Sequence, residues 1–354
     1  MDDSFALAFV LGSPELELDL ALATGGPRPD LRAAVLARHL DEAGRGHIPV
    51  GLAPAVDTEL DIGALLGWGE AYDVSSYPAG PPIVDGVAAA AEVVTRRAAE
   101  GRQVVWMILG PSSAAASFAT RFPHLVRHVR VVVMGASICT GMVSPWGDSA
   151  ESGHYPNQPT NERQNVPAAR AMLRAPWGGG PPLFTGIRCT LGVKLEGAAY
   201  RRLRQAADDT PEDYPALGPL FRSYEAWWTA SSDYDADSAS VTNTAVEAES
   251  VDPWQDSVVM FDVLAAYLAF TQRGLRVVTI AADIADDGHT LISPADAARP
   301  LGCNTSRTLL LSSAEIESAP IMAVAVGWED GQLAVFRREL LARLLRGGRP
   351  CDAP

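Results

Sequence analysis

The stretch Val104-Val105-Trp106-Met107-Ile108-Leu109-Gly110-Pro111 decides the fold. Apolar residues follow one another without polar alternation and stop at a Gly-Pro breaker. A strand covered on both faces reads this way, and parallel sheets flanked by helices contain such strands. A helix is expected to follow, through Phe118. The pattern recurs at residues 130–134, Arg-Val-Val-Val-Met, which stop at Gly135.

Toward the amino end, Leu16, Leu18, Leu20 and Leu22 alternate with polar neighbours, so residues 16–22 read as a strand. Residues 4–11 read as a helix ended by Gly12 and Pro14, residues 30–43 as a helix and 48–52 as a short strand. A Gly/Pro-rich loop region precedes a helix over 87–99. Toward the carboxyl end come a polar loop at 141–162, a helix at 166–173 and a strand at 183–189. Late strands at 276–280 and 321–326 and a basic terminal helix complete the chain. This alternation predicts an α/β protein. It is read as a single large domain over residues 1–354, with a mostly parallel central sheet and helices on both faces. Residues 228–256 are acidic, rich in Ser, Ala and Thr, and non-periodic, which reads as a solvated surface insertion.

The 354 residues include 47% hydrophobic and 20% charged, the balance of a folded chain. The net charge of -15 and the lack of a dense Lys/Arg run argue against nucleic acid. An acidic surplus tolerates a cation. None of the four cysteines sits in a C-x-x-C pair, which argues against structural zinc or a redox pair. Asp2 and Asp3 stand where a signal peptide carries basic residues, and no apolar run reaches the ~18 residues of a membrane span. The expected setting is a reducing cytoplasm, with no membrane partner and with a homo-oligomer left open. No G-x-S-x-G elbow or strand-linked G-x-G-x-x-G motif supports an α/β hydrolase or a Rossmann dehydrogenase.

In such sheets ligands bind beyond the carboxyl ends of the strands. Candidate positions there are Gly25-Gly26, the loop after Gly110-Pro111, the loop at 136–165, and Asp262 after an apolar run. Asp2 and Asp3 join them if a strand precedes them. Each also has a plainer reading. Asp2 and Asp3 could charge a helix N-terminus, Asp262 could be an N-cap, and Ser113 could cap its helix.

Met1-Asp2-Asp3-Ser4-Phe5-Ala6-Leu7-Ala8 resembles the second half of the nucleoside hydrolase fingerprint D-x-D-x-x-x-D-D. Asp73-Val74-Ser75-Ser76-Tyr77-Pro78, Asp85-Gly86-Val87, Gly110-Pro111 and Val131-Val132-Val133-Met134-Gly135 are similar to segments of that family, in the same order. So are Asn161-Glu162-Arg163-Gln164-Asn165-Val166-Pro167 and Phe261-Asp262. The resemblance implies hydrolysis of a ribonucleoside N-glycosidic bond, giving ribose and free base through metal-activated water. It implies a calcium ion held by Asp3, the Ser113 carbonyl and Asp262, with Asp2 and Asn161 on the sugar of a small-molecule nucleoside.

The departures are specific. The fingerprint's first two aspartates and their strand, including the family's general base, would fall before Met1. Gly26 stands where the family places Asn or Asp. Pro159-Thr160-Asn161 replaces a Glu-aromatic-Asn, Asn165 replaces an Asp, and Phe261 replaces a His. Two explanations compete. In one, the start of the chain lies upstream of Met1; in the other, the protein has become a non-catalytic relative that binds a ribosylated ligand or a protein partner. Either way, the chain as given is expected to be impaired as a catalyst.

Overall fold

The computed structural model describes residues 2–24, 28–56, 67–138, 160–232, 256–298 and 310–348. Among them, β1 (Ala21–Ala23) and β2 (Val50–Leu52) form a two-stranded parallel sheet. A second sheet contains β3 (Val104–Ile108), β4 (Val129–Val133), β5 (Leu183–Phe184), β6 (Leu275–Ile284), β7 (Thr290–Ile292) and β8 (Ile321–Trp328). Its order is β3-β4-β5-β8-β6-β7. The pairs from β3 through β5 to β8 are parallel, and the β6 pairings with β8 and β7 are antiparallel. The mostly parallel architecture expected from the apolar runs is therefore present.

The continuous apolar runs mark strands packed on both faces. Val129, Val131 and Val133 of β4 enter one core with the helices Gly86–Ala99, Ser113–Arg121 and Val166–Arg174. Val132 points the other way, into a core shared with the helices Asp2–Leu11, Gly197–Asp209, Phe261–Leu268 and Gln332–Gly348. The Asp2–Leu11 helix is apolar nearly all round, as suits an internal helix. Its Phe5 is fully buried and meets Phe221 and Tyr224 edge-on at centroid distances of 6.5 and 5.9 Å.

Three local expectations change. In 16–22 only Ala21 and Leu22 belong to a ladder. Glu17 and Asp19 are instead drawn to Arg97 and Arg102 of a neighbouring helix and its following turn. The expected strand 183–189 stops at Phe184, and Ile187–Thr190 is helical. Gly186 turns the chain at φ 60, where an added Cβ would stand 2.0 Å from the Ala325 carbonyl oxygen. The insertion expected at 228–256 begins within the helix Leu217–Ser232, and residues 233–255 lie outside the described residues. Gly26 and Pro159 also lie outside them. No helix among the described residues is long and apolar enough to cross a membrane.

Candidate functional site

Two helices set the site. Arg130, at the amino end of β4, donates to the carbonyls of Leu268 and Ala269. The carboxyl end of the Phe261–Leu268 helix is thereby fixed at the amino edge of the sheet. A helix of eight residues spans about 12 Å, so its first turn reaches the opposite, carboxyl edge. The Asp2–Leu11 helix runs the same way. The chain just past its end carries Glu17 to Arg102, beside the start of β3. Its own first turn, with Asp2 and Asp3, therefore also lies at the carboxyl edge.

Asp2, Asp3 and Asp262 meet there. Each offers a carboxylate oxygen, and these oxygens lie within 4.8 Å of one another. Asp262 is 3% exposed. Burial raises its pKa well above the usual carboxylate range, and the charges of Asp2 and Asp3 push the same way. Burial also raises that of Asp2, with Asp3 adding to the rise. Three carboxylates at this spacing repel one another unless protons or a cation intervene. All three occupy first turns of helices, whose amide dipoles favour negative charge. Arg32 supplies a nearby positive charge. Burial lowers its pKa, and the Asp3 charge opposes that shift. The donor set is hard oxygen, partly desolvated and anionic, which fits a hard divalent cation.

Asn161 and Ser113 sit along the same edge of the sheet. Asn161 Nδ2 donates to the carbonyl of Leu109, just past β3, at 2.9 Å, and to that of Met134, just past β4, at 3.3 Å. Ser113 Oγ accepts from Asn165 Nδ2 at 2.9 Å. Asn165 in turn caps the Val166–Arg174 helix by accepting the Ala168 amide at 3.1 Å. The capping readings fall away for Ser113 and Asp262, because Ser112 and Met260 occupy the N-cap positions.

Two further buried groups, to which sequence pattern assigned no role, stand near the site. Glu162, next to Asn161, is buried and accepts the Ala136 amide at 3.1 Å. Burial pushes its carboxyl up. Ala136 holds φ 70, a left-handed conformation that costs a non-glycine residue energy. A Cβ on Gly135 would stand 2.1 Å from Glu162 Oε1, so a side chain at 135 would displace the Glu162 carboxyl from the Ala136 amide. The second group is His39, buried between Ser4 and Ser223 at 3.2 and 2.9 Å and tilted against Trp68. The glycine at 135 was the one visible hint of a close approach. A buried glutamate or histidine leaves no spacing pattern to read.

The chain is 25% identical over 234 residues to the pyrimidine-specific ribonucleoside hydrolase RihA of Salmonella schwarzengrund (strain CVM19633), covering 64% of this chain and 70% of that protein. The purine-preferring ribonucleoside hydrolase from Gardnerella vaginalis superposes with TM-score 0.65 at 17% identity, over 98% of this chain and 96% of that one. The plant nucleoside hydrolase PpNRh1 superposes with TM-score 0.63 at 19% identity, over 99% and 96%. No protein-family model matches the chain. An α/β sheet with an acidic cluster at its carboxyl edge, on this fold, defines the class. The chain has the fold of the nucleoside hydrolases.

Proposed function

We propose that the chain hydrolyses the N-glycosidic bond of a ribonucleoside or a related ribosylated compound, releasing ribose and free base. The observation that carries this reading is the convergence of Asp2, Asp3 and Asp262 at the carboxyl edge of a nucleoside hydrolase fold. Asp3 and Asp262, with the carbonyl of Ser113, are the residues that would hold a calcium ion. Such an ion, when bound, supplies Lewis acidity that makes water a better nucleophile at neutral pH. Asp2 and Asn161 orient the sugar. The carboxylates also stabilise positive charge as it develops on the ribosyl ring in an oxocarbenium-like transition state. The substrate is a small molecule met in the cytoplasm.

Turnover by this chain is slow in our reading. A calcium ion takes ~6 to 8 oxygens, and the cluster brings three carboxylates. A second reading, binding of a ribosylated ligand without turnover, is favoured by Asn161. Its amide hydrogens already serve the Leu109 and Met134 carbonyls, which leaves its oxygen for a sugar hydroxyl. Incubation with a panel of nucleosides, with calcium or chelator, and chromatographic detection of free base tests both. Slow, chelator-sensitive release that disappears in Asp262→Ala supports hydrolysis. Saturable nucleoside binding without release supports the second reading. Neither release nor binding defeats both.

A further inference from the structure

The two helices that carry the acid cluster pack side by side and point the same way, so three carboxylates crowd at one end. Repulsion there would spread the helices unless their other ends are held. Phe9, in the last turn of the Asp2–Leu11 helix, stacks on Phe270, just past the Phe261–Leu268 helix. Their ring centroids are 6.4 Å apart and their planes differ by 21°. The guanidinium of Arg343 lies over both rings, 5.5 Å from the Phe9 centroid and 4.6 Å from that of Phe270.

Arg343 comes from the helix Gln332–Gly348 and is buried. Its Nη1 and Nη2 donate to the two carboxylate oxygens of Glu15 at 2.7 and 2.9 Å, and its Nε donates to Glu339 at 3.0 Å. Glu15 follows closely on the Asp2–Leu11 helix, so one side chain touches the far ends of both acid-bearing helices. Both helix dipoles are negative there, which favours a cation as the first turns favour anions. The same helix also fixes the Asp2–Leu11 helix along its axis. A Cβ on Gly12 would stand 1.9 Å from the Arg343 carbonyl oxygen, and one on Gly347 would stand 2.0 Å from that of Ala8, so backbone meets backbone. A buried ion pair adds little net stability over a well-packed apolar residue. What the two-pronged contact adds is direction, because it fixes the guanidinium plane against the rings.

We infer that Arg343 is a positioning residue for the acid cluster, setting the spacing of Asp2 and Asp3 from Asp262 through the far ends of their helices. Helices are stiff, so a displacement at Phe9 or Phe270 reaches the carboxylates roughly 9 to 12 Å away. Calcium holds its oxygen ligands at about 2.3–2.6 Å, and a working site keeps them placed to about 0.5 Å. A loosened clamp exceeds that tolerance. The effect on the spacing stands by itself. The effect on a cation rests on the proposed hydrolase reading.

The test uses Arg343→Met, which keeps an unbranched stem among the rings. Glu15→Gln is the milder variant, which weakens the contact and leaves the guanidinium in place. Phe118→Leu, in the other core, is the destabilised control. Calcium is titrated into each protein by calorimetry well below its melting range, and crystal structures give the separation of the Asp3 and Asp262 carboxylates. Arg343→Met is expected to weaken calcium binding about tenfold, as a disturbed outer shell does. It is also expected to change the carboxylate separation by about 1 Å or more. Glu15→Gln should move both in the same direction by less, and Phe118→Leu should bind calcium as the parent does. An unchanged separation overturns the inference whatever the affinities. So does an equal loss of affinity in Phe118→Leu, since general loosening would then be the cause. If the parent binds no calcium, the cation reading fails by itself and the separation alone decides the inference. If Arg343→Met does not fold, Glu15→Gln decides by the same two measurements.

Discussion

Asp3 and Asp262 stand 259 positions apart in the chain, and their carboxylate oxygens lie within 4.8 Å of each other. Desolvation and mutual repulsion oppose that arrangement, so the cluster is a source of instability until a cation or proton neutralises it.

Asp262→Asn removes one of the repelling charges while keeping shape. In chelator, the variant is expected to be at least as stable as the parent, by up to about 1 kcal/mol, because the charge removed is buried beside Asp2 and Asp3. Calcium should raise the melting temperature of the parent and leave the variant unmoved. A ligand at a hundredfold its dissociation constant stabilises by about 2.7 kcal/mol, so the difference is measurable by thermal melts. Equal calcium responses would remove Asp262 from the cation site.

Asn161 gives a contrast between two substitutions. Asn161→Ala deletes the donor and leaves the Leu109 and Met134 carbonyls without it, at a cost of about 1–3 kcal/mol. Asn161→Asp places a carboxylate against two carbonyl oxygens, so it should cost more than alanine at neutral pH. Urea unfolding at pH 7 decides the order. The opposite order would show that these contacts do not hold the loop to the strand ends.

The turn after β4 should resist change at Gly135 and Glu162. Gly135→Ala forces its Cβ onto Glu162 Oε1 at 2.1 Å, and overpacking of this kind costs about 1–3 kcal/mol. Glu162→Gln keeps an acceptor for the Ala136 amide and resembles the neutral acid that burial favours, so it should be mild. Glu162→Ala strands that amide and should be worse by about 1–3 kcal/mol. Denaturant midpoints of the three variants test the ranking.

His39 sets an acid limb on stability. Burial lowers its pKa from 6.5 to about 3. A depressed folded-state value means the unfolded chain takes up the proton first. The stability is therefore present above pH 6.5 and lost as pH falls toward 3, at about 1.4 kcal/mol per unit. The full loss is on the order of 5 kcal/mol. His39→Gln should be less stable than the parent at pH 7 and show a shallower decline below pH 6. Parallel declines in both proteins would show that other groups carry the acid sensitivity.

Much of the architecture was legible in the residues themselves. The run at 104–109 and the valines of β4 have no polar face, and only a strand covered by helices on both sides can bury them. Gly110-Pro111 and Gly135 marked where those strands end. Local chemistry also suggested Asp2, Asp3 and Asp262 as helix-start carboxylates. What sequence pattern alone could not supply was distance. That Asp262 reaches Asp2 and Asp3 depends on two helices running antiparallel to β4, one anchored by Arg130 at its far end. The shortened strand at 16–22 depends on Arg97 and Arg102, whose charges compete with the ladder for Glu17 and Asp19. Gly186 ends β5 because the Ala325 carbonyl of a distant strand fills the space of a side chain. Glu162 and His39 became visible only once packing had taken them out of water. Periodicity reports which face of an element is apolar. The close approaches and the buried charges arise between elements far apart in the chain, where only the tertiary fold sets the distances.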